Sequence, residues 1–310
     1  MATSRFDPAV LALRHALQGP RDRLALTKPK VTLLLLAFGA VAAVVAEAGL
    51  VAGGGEPGGG AAARLIAFCL LGFMAAGGAA TLNHLFDRDL DALMERTRER
   101  PVASGRVTPR AALVQAALLL GVSLPAALLL LGPEAAAWMA VGVAVYGGLY
   151  TLVLKRRSRQ NIVIGGLAGS CGVLAGWAVV QPGLAAAAWL LALLVFLWTP
   201  PHFWGLAIAR DRDYRAARIP MLPQVRGIPA AASAMLAYAV AMWLVSLLLV
   251  PFSALGGRYL AAAILLGAAF CAQCWRTWRE PTPRHAAAAF KLSGAYLALL
   301  LAAMWLDIML

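Results

Sequence analysis

Long apolar stretches alternate with short polar segments along almost the whole of this 310-residue chain. Most of the stretches are close to or above the roughly 20 residues that a helix needs to cross a bilayer, and none shows the short alternating segments of a membrane β-barrel. The pattern therefore predicts an all-α polytopic membrane protein with nine transmembrane helices. The expected helices are 31–52, 62–83, 111–131, 135–154, 161–180, 183–203, 230–252, 258–275 and 286–309. They form a single domain over 31–309, preceded by a tail at 1–30.

The polar segments between the expected helices are of two kinds. Those after the first, third, fifth and seventh helices are short and almost uncharged, such as the glycine-rich segment 53–60, whereas the others are rich in Lys and Arg. Of the 27 Lys and Arg residues, all but Arg64 and Arg258 lie in the tail or on the side of the charged segments. Because positive loops stay in the cytoplasm, we expect a cytoplasmic N-terminus and an external C-terminus. The first apolar run lacks a small-residue cleavage site, so we expect it to be retained as a span.

Composition narrows the classes of function. The chain is 62% hydrophobic and 13% charged, with a mean hydropathy of +0.77, which excludes a water-soluble domain, where about a quarter of residues are charged. The net charge of +13 is dispersed over membrane loops, so it favours contact with anionic lipid headgroups and argues against nucleic-acid binding. The four cysteines do not form a disulfide framework, and we interpret Cys271 and Cys274 as structural because no second pair accompanies them.

One polar segment between apolar stretches contains the largest group of candidate functional residues. Asn83, Asp87 and Asp91 are spaced four residues apart at the end of the second expected helix. On an α-helix each such step turns the side chain by only about 40°, so all three are expected on one face. Three oxygen side chains in a row are suitable ligands for a hard divalent cation. Asp89 lies about 200° around the helix from Asp87, so we expect it to be solvated or paired with Arg88.

Fixed cations follow the acidic triplet at once. Arg96 and Arg100 precede Pro101, and Lys155 and Arg156 begin the next charged segment. Most positive charges in such loops only set topology, but cations beside a metal site also form charge-assisted hydrogen bonds with phosphate oxygens. We therefore predict that Arg96, Arg100, Lys155 and Arg156 bind a diphosphate at the membrane surface.

The sixth expected helix ends in a second polar segment. Pro200 and Pro201 should break the helix there, and a broken helix at a membrane interface usually lines a cavity. His202 is either a ligand of a haem iron or propionate or a member of the interfacial aromatic belt, and the sequence leaves both open. Asp211 and Asp213 follow, four helices after the first acidic motif, which suggests but does not establish an internal four-helix repeat.

Together these segments resemble the intramembrane UbiA-type prenyltransferases, and within them the haem-farnesylating subfamily. The resemblance covers about residues 24–308. The matching segments are LTKPKVTLLL (26–35), NHLFDRDLDALMERTRERPVASGRV (83–107), YTLVLKRRSRQNIVIGG (150–166), WTPPHFWGLAI (198–208), DYRAARIPMLPQVRG (213–227) and FKLSGAYLALL (290–300).

The resemblance implies a bundle of nine helices around a central cavity that opens laterally to lipid. It also implies that farnesyl diphosphate is the prenyl donor and that Mg²⁺ is the cofactor. The implied metal ligands and catalytic residues are Asn83, Asp87, Asp91 and Asp213. The diphosphate would lie against the cations predicted above.

On the acceptor side, the resemblance implies haem b. A vinyl carbon of haem b would attack an allylic cation, and water would then capture the new cation to give haem O. We expect His202, Tyr214 and Trp198 to contact this acceptor. The implied setting is the cytoplasmic (inner) membrane of a bacterium, and the candidate partners besides lipid are haem A synthase and the terminal-oxidase assembly.

Two positions depart from the pattern of the wider superfamily, although the haem-farnesylating subfamily tolerates both. His84 stands where an Asp often follows the Asn of the first motif. Asp213 is followed four residues later by Ala217 and not by a second acid, which makes metal binding on that side less certain. His84 lies about 100° from the face that carries Asn83, so we expect it to support the site indirectly or to be solvated.

Three other functions stay open from the sequence. A prenyltransferase with another acceptor, such as an aromatic quinone precursor, would carry the same active-site chemistry. A transporter or channel with an interfacial cation site is disfavoured because the polar residues cluster on one side of the membrane. The third alternative is a non-catalytic assembly factor that binds haem.

Overall fold

Nine helices that are long and apolar enough to cross a bilayer dominate the computed structural model, which describes residues 19–56 and 59–310. They are α1 (Pro29–Ala52), α2 (Ala61–Phe86), α4 (Pro109–Leu130), α5 (Pro133–Arg157), α6 (Asn161–Val180), α7 (Ala186–Ala209), α10 (Ile228–Leu248), α11 (Gly257–Arg279) and α12 (Pro283–Met309). Short helices between them are α3 (Arg88–Leu93), α8 (Asp211–Ala216) and α9 (Leu222–Arg226), and a 3₁₀ turn spans Val250–Phe252. The described residues contain no β-strand, so the prediction of an all-α protein with nine spans is confirmed there.

The first part of the predicted tail, residues 1–18, lies outside the described residues, as do residues 57–58 of the glycine-rich segment. Residues 19–26 are helical and lead into α1. The charged segments, including 87–108 and 210–227, lie together at one end of the bundle, which we call the basic end. A hydrogen bond joins them, because the backbone N–H of Glu95 donates to the side-chain oxygen Asp213 Oδ1 at 3.2 Å.

Proline and threonine define several helix starts. Five long helices carry Pro at their first or second position, where the missing N–H has no intrahelical partner to lose. Thr108 and Thr282 are N-caps, and their hydroxyl oxygens accept hydrogen bonds from the N–H groups of Ala111 and His285, each at 3.2 Å. The observed starts therefore lie two or three residues before the starts predicted from hydropathy at these two helices.

The predicted break at Pro200 and Pro201 is wrong. Both prolines are buried inside α7, which continues to Ala209. α7 is the most buried of the long helices, and packing against neighbouring helices compensates for the backbone hydrogen bonds that the two prolines cannot donate. The Thr199 hydroxyl donates to Val195 O at 2.9 Å within the same stretch. His202 is therefore a residue of a continuous transmembrane helix and does not lie in an interfacial loop.

α5 contains an unusually long wide-turned segment. Its α-helical start, Pro133–Val143, passes into a π-helix over Ala144–Leu154 before a final α-turn. Because π-helices bond from residue i to i+5, the Thr151 hydroxyl lies one turn after Tyr146 and donates to its carbonyl at 2.7 Å. Tyr146 and Tyr150 stack with ring centroids 5.9 Å apart. This segment faces the acidic end of α2.

Two glycines allow α1 and α6 to touch. A Cβ on Gly176 would lie only 2.0 Å from the carbonyl oxygen of Gly39. Small residues at a helix crossing let the two backbones approach closely, which is a common packing mode of membrane helices. The crossing fixes α1 against the centre of the bundle.

At the opposite end, Asp307 has a structural role. Its carboxylate accepts hydrogen bonds from the N–H groups of Gly256 and Tyr259 at the start of α11. A carboxylate that binds free N–H groups at a helix N-terminus stabilises that terminus. The acid in the last span therefore has a structural role, and its presence does not indicate a transport pathway.

Candidate active site

The acidic motif lies where α2 ends and α3 begins. Asp87 is the residue between the two helices, and its backbone (φ −90°, ψ 3°) departs from the α conformation. The chain nevertheless keeps its direction, because the N–H of Asp87 donates to Asn83 O at 2.9 Å and that of Asp91 to Asp87 O at 2.7 Å. The predicted single helix is therefore two helices, but all three side chains point inward and are at most 2% exposed.

Hydrogen bonds fix the orientation of Asn83. Its amide nitrogen donates to Asp87 Oδ2 at 2.7 Å and to Thr151 Oγ1 of the π-helix at 3.0 Å. Its amide oxygen accepts from Lys28 Nζ at 2.5 Å. Partners from three separate parts of the chain use both amide hydrogens and one lone pair of the amide oxygen, so the motif forms only when α1, α2 and α5 are assembled.

Each buried carboxylate of the motif is paired with a cation. Lys155, at the end of α5, binds Asp87 Oδ2. Arg100 donates from one guanidinium nitrogen to both oxygens of Asp91, at 2.8 Å each. Because an unpaired buried charge is very costly, these pairs explain how two acids are kept ionised out of water. Two of the predicted diphosphate ligands, Lys155 and Arg100, are therefore adjacent to the acidic motif.

Lys28 is a member of this site that the sequence analysis did not single out. Its ammonium contacts Asn83 and donates to the Tyr146 hydroxyl at 2.9 Å. Its backbone is left-handed (φ 49°), which is rare for a residue with a side chain. Burial and the neighbouring Arg100 charge lower the pKa of Lys28 to about 7. The only sequence signal was its place in the LTKPKV segment of the family resemblance.

A cavity of about 340 Å³ opens beside these charges. Its lining includes Lys28, His84, Arg96 and Arg100. His84 is 3% exposed, and neither of its ring nitrogens has a hydrogen-bond partner. The alternative that His84 is solvated is therefore wrong, because the ring is buried beside the cavity. A buried, unpartnered donor and acceptor is costly unless a ligand satisfies it.

Arg96 lies at the exposed rim of this cavity, near Tyr214. Burial raises the pKa of the Tyr214 hydroxyl, while the neighbouring Arg96 and Arg100 charges oppose that rise. Tyr214 therefore lies on the same side as the diphosphate cations, next to Asp213. Asp213 Oδ2 is buried and has no hydrogen-bond partner.

Arg156 points away from the acidic motif. Its guanidinium donates to both oxygens of Asp89 at 2.7 Å and to the Phe86 carbonyl at 2.7 Å. This pairing lowers the pKa of Asp89 to about 2. The expectation that Asp89 pairs with Arg88 is wrong, because Arg88 donates to Leu85 O instead. Arg156 is thus separated from the other predicted diphosphate ligands.

His202 and Trp198 belong to a third cluster, between α7 and α12. His202 Nδ1 is 2.6 Å from Ser293 Oγ, and Trp198 Nε1 donates to Ser293 O at 2.8 Å. The two rings stack with centroids 4.3 Å apart, and Phe290 covers His202 from another side at 4.5 Å. The structure therefore joins His202 and Trp198 to each other, but it gives neither of them a contact with the acidic motif.

The oxygen donors suit a hard divalent cation in their chemistry. Asp87 Oδ1 and Asp213 Oδ2 are both buried and unpartnered, so each has a lone pair available to a cation. Both oxygens of Asp91, in contrast, are already bound by Arg100. Within the described residues, no three His, Cys, Asp or Glu side chains are gathered into one metal-binding group. The four predicted ligands thus do not form a compact set in the described part of the chain.

Comparison with known proteins gives consistent results. Residues 35–300 match the UbiA prenyltransferase family. A protoheme IX farnesyltransferase from Azotobacter vinelandii is 43% identical over 289 residues, which cover 93% of each chain.

Solved structures support the fold. A structure of digeranylgeranylglyceryl phosphate synthase aligns with a TM-score of 0.75 at 16% identity, covering 94% of this chain and 99% of that one. A UbiA homolog from Archaeoglobus fulgidus bound to GPP and Mg²⁺ aligns with a TM-score of 0.67 at 15% identity, covering 93% and 100%. At these identities the structures establish only a shared architecture. The match over residues 35–300, taken with the 43% identical relative, shows that the chain belongs to the UbiA prenyltransferase family.

Proposed function

We propose that this protein transfers the farnesyl group of farnesyl diphosphate to a vinyl group of protohaem (haem b), giving haem O and diphosphate. The choice of donor and acceptor is supported by the Azotobacter vinelandii relative, which is named for this reaction. The structural observation that carries the proposal is the pair of buried acids, Asp87 and Asp91, with fixed cations from distant segments bound against them. This arrangement suits a highly charged anion at the end of an apolar bundle.

The diphosphate would lie in the 340 Å³ cavity. Lys28, Lys155 and Arg100 bind oxygen atoms of the motif, and cationic groups of this kind also donate to phosphate oxygens. Arg96 would contact the diphosphate from the rim. His84 supplies an N–H donor that has no other buried partner. We leave Arg156 out of this group because Asp89 holds its guanidinium away from the acidic motif and the 340 Å³ cavity.

Mg²⁺ is the proposed cofactor, with Asn83, Asp87 and Asp213 as protein ligands and Asp91 as the acid that positions Arg100. When bound, it would neutralise charge on the leaving diphosphate as a Lewis acid. The side chains of the protein provide the other part of the charge stabilisation. Arg100 and Lys155 stabilise the negative charge that develops as the carbon–oxygen bond breaks, in a site that is already organised to receive it.

The reaction then proceeds through the organic substrates. Loss of diphosphate leaves an allylic farnesyl cation, and the terminal vinyl carbon of protohaem forms the new carbon–carbon bond. Water adds to the resulting cation and releases one proton, which leaves a hydroxyl group on the product. No enzyme nucleophile is required. The apolar bundle must exclude water until the carbon–carbon bond has formed.

The acceptor side is proposed to include His202, Trp198 and Tyr214. Ser293 binds His202 at Nδ1, so Nε2 is the nitrogen left for a ligand. A histidine whose second nitrogen is oriented by a hydrogen bond is the usual arrangement for an axial metal ligand. Trp198 stacks on the same ring and would present a flat apolar surface to a porphyrin.

The proposed setting is the bacterial inner membrane. The basic end, with the active site, would face the cytoplasm and the C-terminus the outside, because 25 of the 27 Lys and Arg residues lie on that side. The product is a lipid-soluble haem, so haem A synthase or the terminal-oxidase assembly is a suitable recipient.

The decisive experiment compares haems extracted from membranes that express the wild-type protein, Asp87→Asn or Asp211→Asn. Asp87→Asn should lower haem O formation by about 10³-fold, because the site loses a buried charge that positions Lys155 and the cofactor. Asp211→Asn is the matched control and should retain activity, since Asp211 binds only Arg215 and Gln224. Mass analysis detects the farnesylated product. Haem O at the wild-type rate from Asp87→Asn would show that the metal-site assignment is wrong.

A further inference from the structure

A second cavity lies on the other side of α3 from the acidic motif. Its volume is about 500 Å³, which is in the usual range for small-molecule sites of about 300–1,000 Å³. Leu90 and Leu93 of α3 and Ile219 after α8 belong to its apolar lining. Arg156 and Arg218 contribute the two charged groups of the lining. The cavity therefore combines apolar surface with two positive charges.

Arg218 occupies an unusual backbone position. It follows α8 with φ +52°, and the next N–H, that of Ile219, donates back to Tyr214 O at 3.1 Å. This is the left-handed position at a helix end where glycine is normally found. The Arg218 side chain has no hydrogen-bond partner anywhere in 19–56 or 59–310. A cationic side chain is thus held at a strained position on the edge of a cavity, without any protein group to bind.

Arg156 has a fixed direction in the same cavity. Asp89 and the Phe86 carbonyl hold its guanidinium through three hydrogen bonds of 2.7 Å. Leu93 beside it is 59% exposed, which is a large value for a leucine on a short helix. An apolar lining that also contains two guanidinium groups fits an amphipathic ligand that carries carboxylates at one edge.

A packed apolar cluster separates this cavity from the candidate active site. Leu90 and Ile219 belong to the same cluster as Tyr150 and Tyr214. Tyr214 is close to Arg96 and Arg100 of the diphosphate cavity. The side chains of the cluster that joins the two sites are thus apolar and aromatic.

We propose that the cavity between α3 and the end of α8 binds the dicarboxylate edge of the tetrapyrrole acceptor. Protohaem carries two neighbouring propionates opposite its vinyl groups. Arg218 supplies a charge for one of them, and Arg156 supplies the N–H donors that its bonds to Asp89 and Phe86 leave unused. The inference depends on the proposed function, because it presumes that the acceptor is a tetrapyrrole. It adds Arg156 and Arg218 as acceptor-binding residues that orient the vinyl side toward the diphosphate.

The test uses the purified full-length protein in a neutral detergent. Ferric protohaem and its dimethyl ester are titrated by absorption into the wild type, Arg218→Gln, Arg218→Lys and the control Arg212→Gln. Arg212 lies on α8 and is exposed, so it matches the loss of charge outside the cavity. Arg218→Gln should weaken protohaem binding about tenfold and leave ester binding unchanged, which is the loss expected for one charge-assisted hydrogen bond. Arg218→Lys should restore part of the preference.

Arg218→Gly serves as the folding control, because glycine suits the left-handed backbone at this position. It should behave like Arg218→Gln. Unchanged protohaem affinity in both variants, or equal losses for protohaem and ester, would overturn the inference. Phosphatidylglycerol is added as a competitor, and tighter binding of the lipid than of protohaem at the Arg218 site would also overturn it.

Product analysis separates this failure from failure of the proposed function. With saturating protohaem and farnesyl diphosphate, the wild type and all three Arg218 variants should form haem O. Formation of haem O with no role for Arg218 in affinity would remove only the propionate site. Absence of haem O from the wild type would reject the proposed function itself.

Discussion

The two acidic segments of the basic end follow equivalent long helices but are held in different ways. In the first, Asp87 and Asp91 are buried and bind Lys155 and Arg100. The lysine is 68 residues from its partner in sequence. In the second, Asp211 is partly exposed and binds Arg215, four residues away on the same short helix.

Only the first segment therefore has buried carboxylates that are held by cations from outside its own helix. Asp213 of the second segment contributes only an acceptor for the Glu95 N–H and one free oxygen. Each segment contains a short helix, α3 or α8, after a long helix, but the two segments do not share a pattern of ion pairs. If the proposed function is right, activity should be far more sensitive to changes in the first segment than in the second.

Among changes to the two segments and their partners, Arg100→Ala is expected to have the largest effect. It removes a buried partner of Asp91 and a proposed ligand of the diphosphate, so kcat/KM for farnesyl diphosphate should fall about 10²-fold. The farnesyl diphosphate requirement should rise more than the protohaem requirement. Initial rates with each substrate varied in turn check this split, and the reverse pattern would move Arg100 to the acceptor side.

Asp213→Asn tests whether the second segment contributes to the metal site. Loss of one anionic oxygen ligand should lower activity roughly tenfold, within the range seen when a metal site loses a supporting group. The Mg²⁺ concentration needed for half-maximal rate should rise as well. A variant with lower activity but an unchanged Mg²⁺ requirement would assign Asp213 to positioning of the Glu95 backbone alone.

Lys28→Gln examines the cation that comes from outside both segments. It removes the charge but keeps a donor for Asn83, so farnesyl diphosphate binding should weaken about tenfold. Lys30→Gln is the matched control, because Lys30 is exposed and two residues away. Binding measured by competition with diphosphate compares the two variants, and equal affinities would contradict the assignment of Lys28.

The smallest effect is expected at the second segment's own ion pair. The Arg215 side chain is 56% exposed, and its pair with Asp211 is of the i, i+4 type. Such exposed helix pairs contribute about 0.3–0.5 kcal/mol. Arg215→Gln should therefore change the thermal midpoint by about 1 °C and leave haem O formation unchanged. A large loss of activity would mean that the second segment is as critical as the first.

Much of this fold could be predicted because a bilayer imposes simple rules. Length and hydropathy located all nine long helices, and the four-residue spacing of the acidic motif predicted its common face. The continuous course of α7 through Pro200 and Pro201 could not be predicted in this way, because burial by neighbouring helices outweighed a local helix-breaking preference. The π-helix in α5 likewise has no periodic signal in its uniformly apolar sequence.

The candidate site was only partly predictable for a related reason. Its acids are local in sequence, but their partners are not. Lys28 contacts Asn83 across 55 residues and Tyr146 across 118, and no spacing rule connects such positions. Arg156 shows the converse, since it is next to Lys155 in sequence but binds Asp89 on the other side of α3.

The contact between Gly39 of α1 and Gly176 of α6 helps to determine the position of the Lys28 ammonium. Gly39 is eleven residues along α1 from Lys28, a distance of roughly 16 Å on a helix. Any larger group at Gly176 would push the axis of α1 outward, and a stiff rod would carry that displacement to its first turn. The positions of the polar side chains at the membrane surface thus depend on two residues without a Cβ, Gly39 and Gly176, in the hydrocarbon interior.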